Sequence, residues 1–206
     1  MLKGKCRQTT GHETNGSPRM LSVIIPTLDA ERDLVATLAA LVPGATAGLV
    51  SEVLVADGGS RDETGAVADV AGCNFLVIAG PLGKRLKTAA EAARAPWLLF
   101  MRPGIILDAP WTDEARHFVE QSFGDARAAV FRRSAAAQPG VREAWAILLS
   151  ALGARPHPEQ GLIVSQQLYQ EIGGHSAGAA DPEADLIRRL GRRRIVTLST
   201  SAFSAR

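Results

Sequence analysis

The chain has 206 residues, 46% of them apolar and 21% charged, with 20 Gly, 11 Pro and 2 Cys. This is the make-up of one globular domain and excludes wholesale disorder and collagen-like repeats. The formal charge of +2, from 23 basic against 21 acidic residues, gives no global electrostatic case for a nucleic-acid partner. Apolar runs such as Leu21 to Pro26 and Trp97 to Met101 fall far short of the ~18 to 20 residues that span a bilayer.

Residues 1–19 are polar, rich in Gly and Thr, and lack the apolar stretch of a secretory signal. They read as a disordered tail, with Met20 as a candidate start and 20–206 as one domain. Cys6 and Cys73 make neither a Cys-x-x-Cys pair nor a disulfide framework, which suits a reducing compartment and predicts a cytoplasmic protein.

From Met20 onward short apolar runs alternate with helical spacing. Strands are expected at Leu21 to Ile25, Glu52 to Ala56, Phe75 to Ala79 and Trp97 to Met101, the pattern of βαβ units. Between the first two, Leu34, Leu38, Leu41 and Val42 form one apolar stripe of a helix that Pro43 and Gly44 should end. Further helices are expected at Arg61 to Ala71, capped by Ser60 or Asp62, and at Lys84 to Arg94.

The second half predicts helices at Thr112 to Ser122, Val141 to Leu152 and Pro182 to Leu190. Strands are expected there at Ala128 to Arg132, Gly161 to Ser165 and Ile195 to Ser199, with breaks at Pro139, Gly140, Pro156 and Pro158. The fold class is α/β, with a mostly parallel central sheet flanked by helices. Ligands of such sheets bind beyond the carboxyl ends of the strands.

Two loops on that edge carry the chemistry. The second strand exits through Asp57-Gly58-Gly59-Ser60-Arg61-Asp62, where an acid followed by two glycines either receives a base or ribose donor or makes a tight solvated turn. The first strand exits through Pro26-Thr27-Leu28-Asp29-Ala30.

Together these segments resemble the start of a family 2 glycosyltransferase, with Pro-Thr-Leu-Asn-Glu matched at Pro26 to Ala30 and Val-Asp-Gly-Gly-Ser-x-Asp-x-Thr at Ala56 to Thr64. Within that family the later landmarks are similar to the radical-SAM/selenodomain-associated transferase 2 branch. They are Gly83-Lys84-Arg85, the strand Trp97 to Met101, Pro158-Glu159-Gln160-Gly161, Ile172-Gly173-Gly174-His175, and Pro182 to Arg192.

The resemblance implies a GT-A fold, a nucleotide-diphospho-sugar donor and an unidentified acceptor. It places Pro26, Thr27, Asp29, Asp57 and Gly58 around the nucleoside, and Gly83, Lys84 and Arg85 near the pyrophosphate, where cations and a helix start suit an anion. It aligns Glu183 with the carboxylate base of an inverting transferase, with Asp181 and Asp185 as fallbacks.

The chain departs from the family at the end of the fourth strand. Family members place an Asp-x-Asp or His-Ala-Asp there to hold Mn2+ or Mg2+; here stand Arg102, Pro103 and Gly104, a degenerate motif, with Asp108 four residues on. No metal ligands are therefore assigned. Either Arg102 itself offsets the leaving diphosphate's charge, or the chain is a catalytically silent GT-A domain that binds a nucleotide as a regulatory partner.

A nucleotidyltransferase ranks lower, since Thr27-Leu28-Asp29-Ala30 is not a Gly-rich loop. His117, His157 and His175 lack zinc-ligand spacing, and Trp97, Trp111 and Trp145 read as packing residues. The run Arg188, Arg189, Arg192, Arg193, Arg194 is either a solvated helix end or a surface for acidic headgroups that would make peripheral membrane contact.

Overall fold

The computed structural model describes residues 20–122, 124–133 and 156–204. The expected tail at 1–19, the expected helix Val141 to Leu152, Trp145 and the breaks at Pro139 and Gly140 lie outside them.

The chain runs β1 (Leu21–Thr27), α1 (Glu31–Thr46), β2 (Val50–Asp57), α2 (Thr64–Val70), β3 (Asn74–Val77), α3 (Leu82–Ala92), β4 (Trp97–Phe100) and β5 (Ile105–Leu107). It continues through α4 (Trp111–Gln121), β6 (Ala128–Arg133), a 3-10 turn (Pro158–Gln160), β7 (Leu162–Ser165), α5 (Gln166–Glu171), α6 (Pro182–Leu190), a second 3-10 turn (Arg192–Arg194) and β8 (Ile195–Ser204). The strands form one eight-stranded sheet in the order β3-β2-β1-β4-β7-β6-β8-β5.

The sheet is mixed. β1 pairs in parallel with β2 and β4, β2 with β3, and β6 with β8. β4–β7, β6–β7 and β5–β8 are antiparallel. Every residue of β1 and of β4 is buried, because a central strand covered on both faces reads as a continuous apolar run.

Alternate residues feed two cores. Val23, Ile25, Val55, Leu99 and Ile163 face α1, α2 and α4 through Leu34, Leu41, Ala68, Trp111 and Phe118. Ile24, Leu54, Leu98, Phe100 and Val164 face α3, α5 and α6 through Leu86, Leu168, Tyr169 and Leu186. Each such large side chain contributes roughly 1.5–3 kcal/mol of burial.

Several boundaries move for identifiable reasons. Helix α1 continues through Pro43 to Thr46 because Gly44 lies buried beneath the Trp111 ring and the indole Nε1 donates to the Ala40 carbonyl at 3.0 Å. That tertiary contact holds the turn that proline would open. Val42, expected on the buried stripe, is 58% exposed, and Thr37 takes a buried position instead.

Helix α2 begins at Thr64, not Arg61, and the preceding N–H groups of Arg61 and Glu63 bond Asp29 and Glu31 across the neighbouring loop. β5 and α5 have no counterpart in the sequence reading, being three and six residues long.

Candidate active site

After β1, α1, β2, α2 and β3 the chain steps back across β1 to place β4 on its other side. Such a reversal opens a crevice beyond the carboxyl ends of the strands. Thr27 ends β1, Asp57 ends β2, and Arg102 stands two residues past Phe100 at the end of β4. Pro26 is buried opposite Ala56, past the last β1–β4 pair, Ile24 with Phe100.

The first two loops are zipped together. The Asp29 N–H donates to Ser60 Oγ (2.9 Å) while Arg61 N–H donates to Asp29 Oδ1 (2.7 Å). The Ala30 and Glu31 N–H groups donate to Thr64 Oγ1 (3.0 Å) and Asp62 Oδ2 (3.1 Å). Asp29 is exposed and takes φ 48°, a left-handed conformation that Asp tolerates better than most residues. Asp62 thus serves both loops and, as expected, caps an exposed N–H of α2, its Oδ1 accepting from the Thr64 N–H at 3.1 Å from two residues before.

Asp57 is buried at the centre of this arrangement. Its Oδ1 accepts from Thr27 Oγ1 (2.9 Å) and from the Ser60 hydroxyl, and its Oδ2 from the N–H groups of Gly59 (2.7 Å) and Ser60 (2.8 Å). Burial works to raise its pKa, but the bonds from Ser60, Gly59 and Thr27 outweigh it and hold the carboxyl below its usual value. All four acceptor positions of the carboxylate are taken within its own loops.

Arg85, on the first turn of α3, reaches back over the strand ends. Its Nη1 donates to the carbonyls of Thr27 (2.6 Å) and Ala56 (3.4 Å), and its Nε is buried without a partner. The guanidinium lies where a side chain at Gly58 would be, 2.7 Å from the position of a Cβ. Lys84 is exposed, with Nζ donating to Ala79 O at 3.2 Å.

Gly83, on the first turn of α3, packs against the Ser176 backbone and Pro182, the residue before Glu183. A Cβ there would stand 2.1 Å from the Ser176 carbonyl oxygen, so close backbone approach is what requires glycine, a role that the resemblance to a pyrophosphate loop does not suggest.

The two residues assigned to catalysis meet each other. Arg102 donates from Nε (2.7 Å) and Nη2 (2.5 Å) to the same Glu183 oxygen, Oε2. Glu183, on the first turn of α6, is almost fully buried, whereas a third of the Arg102 side chain is exposed. Burial raises the Glu183 pKa, the hydrogen bond and charge of Arg102 oppose it, and burial prevails. Burial also works against the Arg102 charge, but Glu183 outweighs it, aided by Asp181 and Glu159, and raises its pKa.

The loop carrying Arg102 is clamped to α1. The Gly104 N–H donates to Asp33 O (3.0 Å) and Thr37 Oγ1 (2.9 Å) with φ at +84°. The fallback carboxylates are committed elsewhere: Asp181 Oδ1 caps α6 by accepting from Ala184 N–H (3.0 Å), and Asp185 pairs with Arg188 and with Arg189 (2.8 Å).

A divalent cation does not fit these residues. Arg102 fills the end of β4 with a cation, and β5 carries Asp108 away alongside β8, its N–H donating to Ser201 O. Among the described residues no group of three or more His, Cys, Asp or Glu side chains is placed to hold a metal.

The remaining tempting residues pack. Trp97 meets Phe118 and Trp111 meets Phe131 edge-to-face at 5.7 and 6.5 Å. Within the arginine run, Arg189 is structural, donating to the carbonyls of Ile172 and Gly174. Arg192, Arg193 and Arg194 are exposed at the start of β8, the sheet edge opposite the crevice. No helix among the described residues is long and apolar enough to cross a membrane.

Residues 22–101 match the sequence model of Glycosyl transferase family 2, a segment that holds β1 through β4 with both zipped loops. No curated protein matches the chain by sequence.

Among solved structures, glucosyl-3-phosphoglycerate synthase from Mycobacterium tuberculosis, in complex with Mn2+, UDP and glucosyl-3-phosphoglycerate, is similar with a TM-score of 0.60 at 20% identity, over 89% of this chain and 70% of that one. S. aureus TarS 1-349 in complex with UDP-GlcNAc is similar with a TM-score of 0.67 at 18% identity, over 90% of this chain and 58% of that one. The fold is that of the GT-A glycosyltransferases.

Proposed function

We propose that the chain transfers a sugar from a nucleotide-diphosphate donor to an acceptor hydroxyl, with inversion and without a metal ion at the end of β4. The observation that carries this reading is the Arg102–Glu183 pair, a cation and a carboxylate side by side at the crevice where the strand order reverses. The neighbours solved with UDP and UDP-GlcNAc support the donor class.

In this reading Pro26, Thr27, Asp29 and Gly58 line the nucleoside, and Asp57 meets a base donor by giving up the Ser60 hydroxyl. Lys84, the free edge of Arg85, and Arg102 face the diphosphate. The acceptor oxygen attacks the anomeric carbon as its proton passes to the Glu183 carboxylate. The bond from that carbon to the diphosphate oxygen breaks, and its electron pair leaves with the diphosphate, whose charge the guanidinium offsets.

A second reading, a silent nucleotide-binding GT-A domain, is favoured by one observation: the carboxylate assigned as base is held by Arg102. Calorimetric titration with UDP and GDP, each with Mn2+ and with EDTA, tests the donor site. Binding that survives EDTA, followed by slow donor hydrolysis or transfer that Glu183→Gln abolishes, is the result expected of the enzyme. Binding without turnover of any donor sinks the enzymatic reading and leaves the silent one.

A further inference from the structure

We infer that Arg102 is a cation exchanged between two anions: Glu183 holds it in the free protein, and a nucleoside diphosphate entering the crevice between β1 and β4 draws it away, freeing Glu183 only when donor is bound. The inference rests on the proposed donor site and adds a coupling that the family resemblance does not contain.

The geometry carries it in three steps. The partners differ in freedom, because the Glu183 side chain is 8% exposed and fixed at the start of α6, whereas Arg102 is 34% exposed. The loop backbone stays in place, since Gly104 is bonded twice to α1, so the movement asked of Arg102 is a side-chain rotation. Both bonds from Arg102 end on one oxygen of Glu183, whereas a diphosphate offers the planar guanidinium paired oxygens and two-pronged contact.

The charges around the pair set the consequence. Asp181 adds negative charge beside Glu183, and Asp181 and Glu159 both act on Arg102. Once Arg102 turns to the diphosphate, Glu183 is left buried next to Asp181 with no cation. Desolvation and like charge both raise its pKa, so donor binding draws protons onto Glu183 where the pH is near or below that pKa, while above it the carboxylate stays ionised. That ionised carboxylate, no longer paired, is a stronger base toward an acceptor hydroxyl than the ion-paired one.

The test is UDP binding in EDTA to the full chain and to Glu183→Gln, measured by calorimetry in buffers of different ionisation enthalpy. Removing the competing carboxylate should tighten UDP binding about fivefold or more. Titrated from neutral toward acid pH, the wild type should take up more protons on binding than the variant does, a difference that a purely structural pair would not produce. Should Glu183→Gln fail to fold, Glu183→Asp, whose shorter reach loosens the hold on Arg102, should shift the affinity in the same direction.

UDP binding of equal strength and equal proton uptake in wild type and variants would overturn the exchange while leaving the donor site standing. No UDP binding by either protein would overturn the donor site and the exchange together. Binding by Glu183→Gln alone would support the exchange in its strongest form.

Discussion

Arg102 and Glu183, 81 residues apart in the chain, meet through two hydrogen bonds to a single carboxylate oxygen, at 2.7 and 2.5 Å. They join the loop after β4 to the first turn of α6, and with it the two halves of the sheet across the crevice. Replacing Arg102 by Ala leaves a buried carboxylate unpaired. Breaking a buried pair costs ~3–5 kcal/mol, but Arg102 is a third exposed and solvent screens part of this, so about 1–3 kcal/mol is expected at neutral pH.

The sign follows from the raised Glu183 pKa. The protonated form is the one the fold prefers, so its contribution is complete below the unfolded value near 4.5 and is lost as pH rises through the folded value. Losing Arg102 raises that folded value further. Urea unfolding should therefore show a small Arg102→Ala penalty near about pH 4 and a larger one at about pH 7. An equal penalty at both would mean that Arg102 stabilises by packing alone.

Asp57 supports the nucleotide edge through four acceptor contacts. Asp57→Asn keeps the shape only with its carbonyl oxygen on the Gly59 and Ser60 N–H groups and its NH2 donating to the Thr27 and Ser60 hydroxyls, and all four contacts then lose the carboxylate charge. The expected cost is ~2 kcal/mol, from a net 1.5–3 for each hydrogen bond to a charged group, reduced by relaxation of the exposed loop. Thermal unfolding checks it. Amide exchange should accelerate at Gly59, Ser60 and Arg61 first, since those N–H groups bond Asp57 and the linked Asp29.

Gly58 and Gly83 predict different outcomes from the same change. A methyl at 58 meets the far end of Arg85, at 2.7 Å from Nη1, whereas a methyl at 83 meets a backbone carbonyl at 2.1 Å. The Arg85 side chain can swing away, so Gly58→Ala should cost about 1 kcal/mol of stability. Nucleotide binding should weaken as much as in Arg85→Ala. Gly83→Ala must move the backbone at Ser176 and should cost ~3 kcal/mol, at the upper end of overpacking. Melting temperatures and UDP titrations of the two variants separate these effects.

The fold of the first half was legible because its signals are local. An unbroken apolar strand, a loop with Asp-Gly-Gly and a helical stripe each occupy a few adjacent residues, and β1, β2, β4 and α6 stand within about two residues of where those signals put them. The antiparallel pairing of β7 with β4 and β6 was not legible, because strand partners are chosen across the chain. The Arg102–Glu183 contact belongs to the same category. Sequence suggested both residues for separate tasks, and only the meeting of β4 with α6 shows that each constrains the other. The approach of the Ser176 backbone to Gly83 was not legible either, because the two are distant in sequence.

His175 supplies the clearest pH signature. Its Nδ1 is 2.9 Å from the Tyr169 hydroxyl, its N–H donates to the same oxygen at 3.0 Å, and its ring packs edge-on to Phe100 at 4.7 Å. Burial, and after it the Arg189 charge, lower its pKa to about 3. A histidine depressed in the fold contributes stability that is fully present above its unfolded value near 6.5 and is lost as pH falls toward 3. Between about pH 7 and pH 4 the loss should be on the order of 3 kcal/mol. His175→Phe removes the titrating group but leaves the Tyr169 hydroxyl a partner in the backbone N–H at 175, so the fold should survive. Urea midpoints of the two proteins should diverge at neutral pH by little and converge or cross as pH drops, with the phenylalanine variant showing the flatter acid limb. An acid limb of unchanged slope in His175→Phe would place the proton uptake of acid unfolding on other groups.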